Sequence, residues 1–130
     1  MPLKIVLKPN EKIVINQAVI ANGPERTELL IENKANVLRQ RDILTEEGAD
    51  TPARRVYFAV QMLYMFPESA RHYQTLFNRL VRDFVSAVPS STEVALELAQ
   101  KVMAGDLYAA LRVCRKLVKY EEKVLQHVRQ

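Results

Sequence analysis

The sequence predicts an α+β fold, in which a small antiparallel β-sheet or barrel of about five strands precedes an antiparallel bundle of three to four helices. Over the first 45 residues, apolar and polar side chains alternate in short runs, as they do in antiparallel strands. From residue 51 onward, apolar side chains recur at helical spacing. We therefore expect a β-rich, RNA-binding-like subdomain over residues 1–47 and a helical subdomain over residues 51–130, with the boundary in the acidic, glycine-containing stretch 46–50.

The predicted strands are short and are separated by turn-forming residues. In residues 3–8 the odd-numbered side chains are apolar and face one side, while the lysines face the other. Turn chemistry follows at residues 9–11 and at residues 22–24, where asparagine, glycine and proline are adjacent. The other segments that we interpret as strands are residues 12–16, 17–21 and 27–32, and residues 37–44 fit either a fifth strand or the start of a helix.

The helical half begins with a marked start signal. Thr51 is the predicted N-cap, and Pro52 occupies the first position of a helix that runs to Met65. Pro67 interrupts the pattern, and a second helix with the clearest amphipathic period in the chain then continues until Pro89 ends it.

Two further helices complete the predicted bundle. Ser90 followed by Glu93 forms a capping-box pattern that opens the third helix, which runs to about Ala104. Gly105 suits the position after that helix, and Asp106 suits the cap of the next one. Because the connections are short, we expect consecutive helices to be antiparallel neighbours.

Residues suited to enzymatic chemistry are scarce. His72 and His127 fall on predicted helices without a second ligand at metal-binding spacing, and Cys114 falls on the apolar stripe of the last helix. The adjacent acids Glu121 and Glu122 point in different directions on a helix and are interpreted as solvated charges. With one cysteine and three glycines, the chain has neither a multi-thiolate metal site nor a glycine-rich phosphate loop. We therefore predict a protein that is not an enzyme and has no metal and no cofactor.

Charge permits a polyanionic partner but does not locate it. The net charge is +4 and the isoelectric point is near 9.3. Residues 1–50 carry seven basic and eight acidic residues, whereas residues 51–130 carry twelve and seven, so the basic excess lies in the second half. The apolar runs fall short of the roughly 18 residues that span a bilayer, and lysines interrupt the first of them, so we expect a cytoplasmic protein with no membrane association.

Two sets of basic residues are candidates for nucleic-acid contact. On the last helix, the basic residues at helical spacing are Arg112, Arg115, Lys116, Lys119 and Lys123. In the sheet, Lys4 and Lys8 share a strand face, and Arg39 and Arg41 share one if their segment is extended. The alternatives are a solvated helix face and strand charges that discourage edge pairing.

Four blocks distributed along nearly the whole chain are distinctive, namely the opening residues 1–12, residues 32–39, TPARRVYF at 51–58 and AALRVCRKL at 109–117. In this order they resemble the FlbT family of flagellar-biosynthesis regulators. The resemblance implies a post-transcriptional repressor that associates with the 5′ untranslated region of flagellin mRNA and promotes its degradation or blocks its translation. It also implies coupling to a FlaF-like protein.

Residues 9–16 and 37–44 are similar in order and spacing to CsrA-type translational repressors, whose small five-stranded sheet interlocks as a dimer and binds GGA-containing RNA loops. That resemblance assigns RNA contact to Lys4, Ile5, Lys8 and Arg41, and the basic pair adds Arg39. The chain departs from the pattern at Leu7, where a second basic residue is usual, and at Asn10, which replaces a turn glycine.

A protein-interaction module is the alternative function, in which the helical half binds a FlaF-like protein or flagellin and affects mRNA indirectly. Its basis is the basic excess and a set of aromatic residues that are either exposed or at the rim of the core, namely Tyr57, Tyr64, Tyr108 and Tyr120. A CsrA-like sheet implies a homodimer, whereas helices that cover the sheet would leave a monomer, and both states stay open.

Overall fold

The computed structural model describes residues 2–129 of the chain and the side chains of residues 2–126. In this part of the chain, five antiparallel strands precede four α-helices, which confirms the predicted α+β class. The chain divides into two compact units, Met1–Ile43 (the sheet unit) and Leu44–Gln130 (the helical unit). The division falls slightly earlier than the sequence suggested, so residues 44–47 belong with the helices.

The sheet unit contains two small antiparallel sheets. Its strands are β1 (Leu3–Leu7), β2 (Lys12–Ile15), β3 (Ala18–Ala21), β4 (Thr27–Ile31) and β5 (Val37–Arg39). Strands β1 and β4 pair with Ile5 opposite Leu29. Strand β2 lies between β3 and β5, with Val14 opposite both Val19 and Leu38.

The core of the sheet unit forms because alternate side chains of each strand face the same way. Ile5, Leu7 and Ile13 are buried together, and they are packed against by partly buried apolar side chains, namely Ile15, Leu29, Ile31 and Val37. The alternation expected in residues 3–8 is therefore confirmed for Ile5 and Leu7, whereas Leu3 at the start of β1 is 51% exposed.

Two asparagines shape the turns of the sheet unit. Asn10 and Asn16 have φ angles of 62° and 56°, in the left-handed region that asparagine tolerates better than most residues. Asn16 turns β2 into β3, and its side-chain oxygen accepts a hydrogen bond of 3.0 Å from the backbone N–H of Asn36. These contacts fix the local path of the chain between neighbouring strands.

The segment 37–44 contains a short strand and then a 3-10 turn. Strand β5 ends at Arg39, and the turn covers Gln40–Asp42. Arg39 and Arg41 therefore do not lie on one extended strand. Their side chains therefore do not share the strand face that the sequence analysis expected for an extended segment.

The helical unit follows the boundaries set by its prolines. Its helices are α1 (Pro52–Met65), α2 (Ala70–Ala87), α3 (Thr92–Met103) and α4 (Leu107–Arg129), with 3-10 turns at Pro67–Ser69 and Pro89–Ser91. Thr51 caps α1 as predicted, since its hydroxyl accepts a hydrogen bond of 3.2 Å from the Arg54 N–H.

The ends of α3 agree only in part with the sequence analysis. Gly105 has a φ of 78° after the helix, and the Asp106 carboxylate accepts a hydrogen bond of 3.3 Å from the Ala109 N–H, as expected for these caps. The predicted capping box does not form. The Ser90 hydroxyl hydrogen bonds to the Tyr120 hydroxyl instead, and α3 begins two residues later.

The helices pack around α1 and α4. α1 packs against α2 and α4, and α3 packs against α4. The first turn of α1 meets the C-terminal half of α4 through Ala53 and Glu121, while Tyr64 near the end of α1 lies beside Tyr108 at the start of α4, with ring centroids 6.1 Å apart. α1 and α4 are therefore antiparallel. Several small side chains of α1 and α4 are fully buried, namely Ala53, Ala59, Val60, Ala110 and Cys114.

Candidate nucleic-acid interface

Two turns of the sheet unit meet at one edge. The Glu11 carboxylate accepts a hydrogen bond of 2.9 Å from the Lys8 N–H and lies 3.8 Å from the Arg39 guanidinium. The Lys12 N–H donates a hydrogen bond of 2.7 Å to the side-chain oxygen of Gln40. The turn after β1 and the turn after β5 therefore lie side by side. We call three exposed cations at this edge the turn cluster, namely Lys8 after β1, Lys12 at the start of β2 and Arg41 after β5.

Arg39 has a role inside the unit. Its side chain is about one-third exposed, and its Nη2 donates a hydrogen bond of 2.5 Å to the carbonyl of Val6 on β1. Since Arg39 lies on β5, this bond joins the two sheets. A hydrogen bond from a charged donor to a partly buried carbonyl stabilises the fold. The geometry thus favours a structural role for Arg39, which the sequence analysis grouped with the RNA contacts.

Arg41 has a different environment from Arg39. Its side chain is 76% exposed, and its Nε lies 4.0 Å from the carboxylate of the neighbouring Asp42. A contact of this length at an exposed site contributes little to stability. The Arg41 guanidinium is therefore available to a ligand.

The three candidates in residues 4–8 also differ in their exposure and in their partners. Ile5 is 4% exposed and lies in the core, so its side chain does not reach a ligand at the surface, and we remove it from the candidate contacts. Lys4 is exposed but lies 3.5 Å from Glu28 across the β1–β4 pair. Lys8 lies just beyond β1, and its ammonium has no ion pair among the side chains that the structure describes.

Two residues of this surface were missed from the sequence. Lys12 lies beside Lys8 and Arg41 because its N–H bonds to Gln40, which is 28 residues away in the chain. No local sequence pattern predicts a contact of this kind. Leu30 is exposed and lies opposite Lys4 in the β1–β4 register, which gives Lys4 an apolar neighbour. The alternation of β4 places Leu30 on the outer face, so the sequence did carry a signal for it.

The basic residues of α4 form an exposed face with one exception. Arg112, Lys116, Lys119 and Lys123 are exposed and recur at helical spacing. Arg115 is partly buried, with its Nη2 atom inaccessible to solvent, so it does not belong to this face. Two of the exposed cations already have neighbours. Lys116 lies 3.7 Å from Glu97, and the Arg112 guanidinium lies 5.6 Å from the centre of the Tyr108 ring.

The residues considered for catalysis give no catalytic arrangement in the described side chains. Cys114 is fully buried, and its burial raises the pKa of the thiol, so the thiolate that would act as a nucleophile is disfavoured. His72 is exposed, and the side chain of His127 lies outside the described residues. Among the described side chains, no three His, Cys, Asp or Glu residues lie close enough together to hold a metal ion.

Glu121 corrects an expectation, because it is buried and not solvated. Its carboxylate accepts a hydrogen bond of 2.9 Å from the Ala53 N–H, one of the free donors in the first turn of α1. A carboxylate at this end of a helix also interacts favourably with the helix dipole. Its neighbour Glu122 is exposed and lies 3.5 Å from Arg54. The signal was present, since position 121 continues the apolar spacing set by Cys114 and Leu117.

Both units match one protein family along nearly their whole length. A family model described as "Flagellar protein FlbT" matches residues 3–125. The chain belongs to the FlbT family. A relative from Bradyrhizobium diazoefficiens, the "Probable flagellum biosynthesis repressor protein FlbT 1", is 48% identical over 125 residues, which cover 95% of this chain and 85% of the relative.

Two Caulobacter relatives extend this comparison. A probable flagellum biosynthesis repressor protein FlbT from Caulobacter sp. is 44% identical over 131 residues, covering 98% of this chain and 99% of the relative. The flagellum biosynthesis repressor protein FlbT of Caulobacter vibrioides is 41% identical over 130 residues, covering 98% and 92%. No solved structure matches the chain, so the CsrA-type similarity stays a prediction. Among the described helices, none combines the length and the apolar character needed to cross a bilayer.

Proposed function

We propose that this chain represses flagellin synthesis after transcription by binding the 5′ untranslated region of flagellin mRNA, without catalytic activity of its own. The names of the FlbT relatives support a regulatory role in flagellum biosynthesis. The observation that carries the RNA-binding step is the turn cluster, in which Lys8, Lys12 and Arg41 gather at one edge of the sheet unit. Bound protein would block ribosome access or expose the message to a nuclease.

The turn cluster suits a single-stranded RNA loop. Its cations would hold phosphates, while Lys4 and the exposed Leu30 on the outer face of β1 and β4 would contact a base. Proteins recognise RNA sequence mostly in unpaired loops, whose base edges and faces are accessible. Affinity would therefore fall steeply with salt, and selectivity would depend on the contacts to the base.

The test compares binding of the full chain to a flagellin leader and to a scrambled RNA of equal length. We expect Arg41→Ala to weaken leader binding about tenfold, since it removes a charge-assisted hydrogen bond to phosphate. Lys34→Ala is the matched control, because Lys34 is an exposed cation of the same unit that lies near Leu3 and Ile31, at the end of β1 away from Lys8. Equal affinities for both RNAs, or equal effects of both variants, would contradict the proposal.

A protein partner is the second candidate function, and an exposed apolar surface favours it. Met103 is 85% exposed and Leu96 is 58% exposed on the same face of α3. Of the four tyrosines considered from sequence, Tyr108 is exposed, Tyr57 and Tyr64 are buried, and Tyr120 is partly buried and bonds to Ser90. A FlaF-like protein or flagellin would bind here through apolar contact.

RNase treatment separates the two functions. A purified complex with a FlaF-like protein or flagellin that survives RNase and is lost in Met103→Glu supports the protein partner. The matched control is Gln126→Glu, which adds the same charge at an exposed position of α4, away from the face that carries Leu96 and Met103. A complex that RNase dissolves supports RNA.

The homodimer stays a prediction, and the structure offers an edge at which it would form. All four residues of β3 (Ala18–Ala21) are exposed, apolar and uncharged, and the strand pairs only with β2 among the described strands. Unprotected edges of this kind pair with other strands. We expect Val19→Lys to convert a dimer to a monomer in a measurement of solution mass, and a monomeric wild-type chain would contradict the prediction.

A further inference from the structure

Three arginines of α2 form a surface that the proposed site does not use. Arg71, Arg79 and Arg82 are all exposed. Helix geometry places these positions within about 80° of one another around α2 and within about 16 Å along it. None of the three guanidinium groups forms an ion pair with a side chain in the described range 2–126. They therefore form a positively charged stripe, which we call the α2 face.

The orientation of the α2 face is fixed by packing on the other side of the helix. Phe77 and Phe84 are the buried residues of α2, and the helix packs against α1. The period of α2 turns the arginines away from these two rings. The guanidinium groups thus extend into solvent from the side of α2 that lies away from its buried rings.

Two of the arginines line one shallow cleft. Arg71 and Arg79 border a cleft of about 600 Å³ together with His72, Thr75 and Leu76. Glu68 and Ser69 also line it, so the cleft has one carboxylate among its lining residues. The rings of His72 and Tyr73 are 4.8 Å apart in an edge-to-face arrangement. The cleft therefore combines guanidinium groups with an imidazole ring and an apolar side chain.

This combination fits single-stranded RNA better than an acidic protein segment. Guanidinium groups bind phosphate through two parallel hydrogen bonds. Surfaces for single strands combine cations that follow the backbone with flat rings on which bases stack. An acidic peptide would use the arginines but would leave His72 and Leu76 without a defined role.

We propose that the α2 face binds single-stranded RNA, with phosphates on Arg71, Arg79 and Arg82 and a base against His72 and Leu76. In the cell this RNA would be the flagellin leader, and to that extent the inference rests on the proposed function. The α4 face is the weaker candidate, because Lys116 pairs with Glu97 and Arg112 covers Tyr108.

The experiment measures binding of a fluorescent twelve-residue oligouridine to the full chain by anisotropy over a range of KCl concentrations. We expect Arg71→Ala/Arg79→Ala to weaken binding at least tenfold at low salt. It should also reduce the slope of log affinity against log salt by about 1.4, since each phosphate contact on a single strand contributes about 0.7. Lys119→Ala/Lys123→Ala on α4 is the matched control, because it removes the same charge from two exposed lysines. Its effect should be less than half as large.

Several results would overturn the α2 site. Equal effects of the two double variants would mean that binding depends on net charge and not on the α2 face. Failure of oligouridine to bind the wild-type chain would contradict the proposal outright. Competition by polyglutamate as effective as that by oligouridine would mark the face as a site for acidic protein. His72→Ala serves as a second variant that keeps every arginine, and it should weaken binding without changing the salt slope.

The outcome for the α2 face can be separated from that for the turn cluster. Preference for the leader over scrambled RNA tests the turn cluster, whereas the salt slope with oligouridine tests the α2 face. If the arginine double variant leaves the salt slope unchanged while the chain still prefers the leader to scrambled RNA, only the α2 site is overturned. Absence of leader preference with the slope effect intact would overturn only the proposed function.

Discussion

The sheet unit and the helical unit carry the same net charge but place it differently. Residues 1–43 have seven basic and five acidic residues, and residues 44–130 have twelve and ten, so each unit is at +2. The asymmetry between halves of the sequence came from Glu46, Glu47 and Asp50, which the structure assigns to the helical unit. The net charge of a unit therefore does not locate a binding surface. The better guide is which charged side chains lack an ion-pair partner within the unit.

The two units also build their basic surfaces in different ways. In the helical unit, cations lie on one face because they recur along a single helix. In the sheet unit, Lys8, Lys12 and Arg41 meet because two turns distant in sequence are held together by Glu11 and Gln40. A substitution inside the sheet unit can therefore disturb the binding surface through the fold, and the predictions below separate these effects.

The largest effect on stability is expected at Gln61 in the helical unit. This residue is buried, its side-chain nitrogen donates a 2.9 Å hydrogen bond to the Leu44 carbonyl, and its oxygen accepts one of 2.8 Å from the Leu44 N–H. Gln61→Ala removes both bonds and leaves a cavity, so we expect a loss of about 3 kcal/mol. Urea unfolding measures it, with Gln100→Ala as the exposed control. A loss below about 1 kcal/mol would contradict the role assigned to Gln61.

Arg39 and Arg41 give the sharpest contrast within the sheet unit. We expect Arg39→Ala to lower the free energy of unfolding by about 2 kcal/mol, because it removes the bond from β5 to Val6 on β1. Arg41→Ala should change it by less than about 0.5 kcal/mol. Hydrogen exchange of the β1 and β5 amides reports the effect on this unit alone. Equal protection in both variants would contradict the division of roles.

Glu121 tests whether a buried carboxylate in the helical unit acts as a helix cap. We expect Glu121→Ala to cost about 1.5 kcal/mol, because the Ala53 N–H loses its acceptor. Glu121→Gln keeps an acceptor oxygen and should recover part of that loss. Glu122→Ala, at an exposed site, is the control in thermal unfolding. An equal effect of Glu121→Ala and Glu122→Ala would refute the capping role.

The smallest effect concerns Asp50 and its dependence on pH. The hydrogen bond from the Arg54 guanidinium lowers the pKa of the Asp50 carboxyl below its usual 3.8. The folded state therefore gains stability above pH 3.8, and that gain disappears as the pH falls through the lowered pKa. Asp50→Asn should be slightly less stable than wild type at pH 7, and the difference should disappear once the pH is below the lowered pKa of Asp50. A difference that persists at low pH would have another cause.

Local features of the fold were predictable from the sequence, whereas contacts across the chain were not. Thr51, the prolines and Gly105 act through their own backbone and neighbours, so their effects agreed with the predicted helix ends. The capping box at Ser90 failed because Tyr120, thirty residues away, takes the serine hydroxyl.

The candidate site follows the same rule. The basic face of α4 was visible in the sequence because helical spacing is local, apart from the partly buried Arg115. The separation of Arg39 from Arg41 depends on where β5 ends, and the place of Lys12 depends on Gln40. Gln61 and Glu121 lie at positions that continue an apolar stripe, so a polar residue at such a position was the available sign of an internal hydrogen bond.

Photo-crosslinking is the most direct test of RNA binding by the sheet unit. A flagellin leader containing 4-thiouridine is bound to the full chain and irradiated, and the attached peptides are identified by mass spectrometry. The account predicts crosslinks within residues 8–12 and 39–42 that are stronger with the leader than with a scrambled RNA. Crosslinks confined to residues 44–130, or equal in both RNAs, would contradict it.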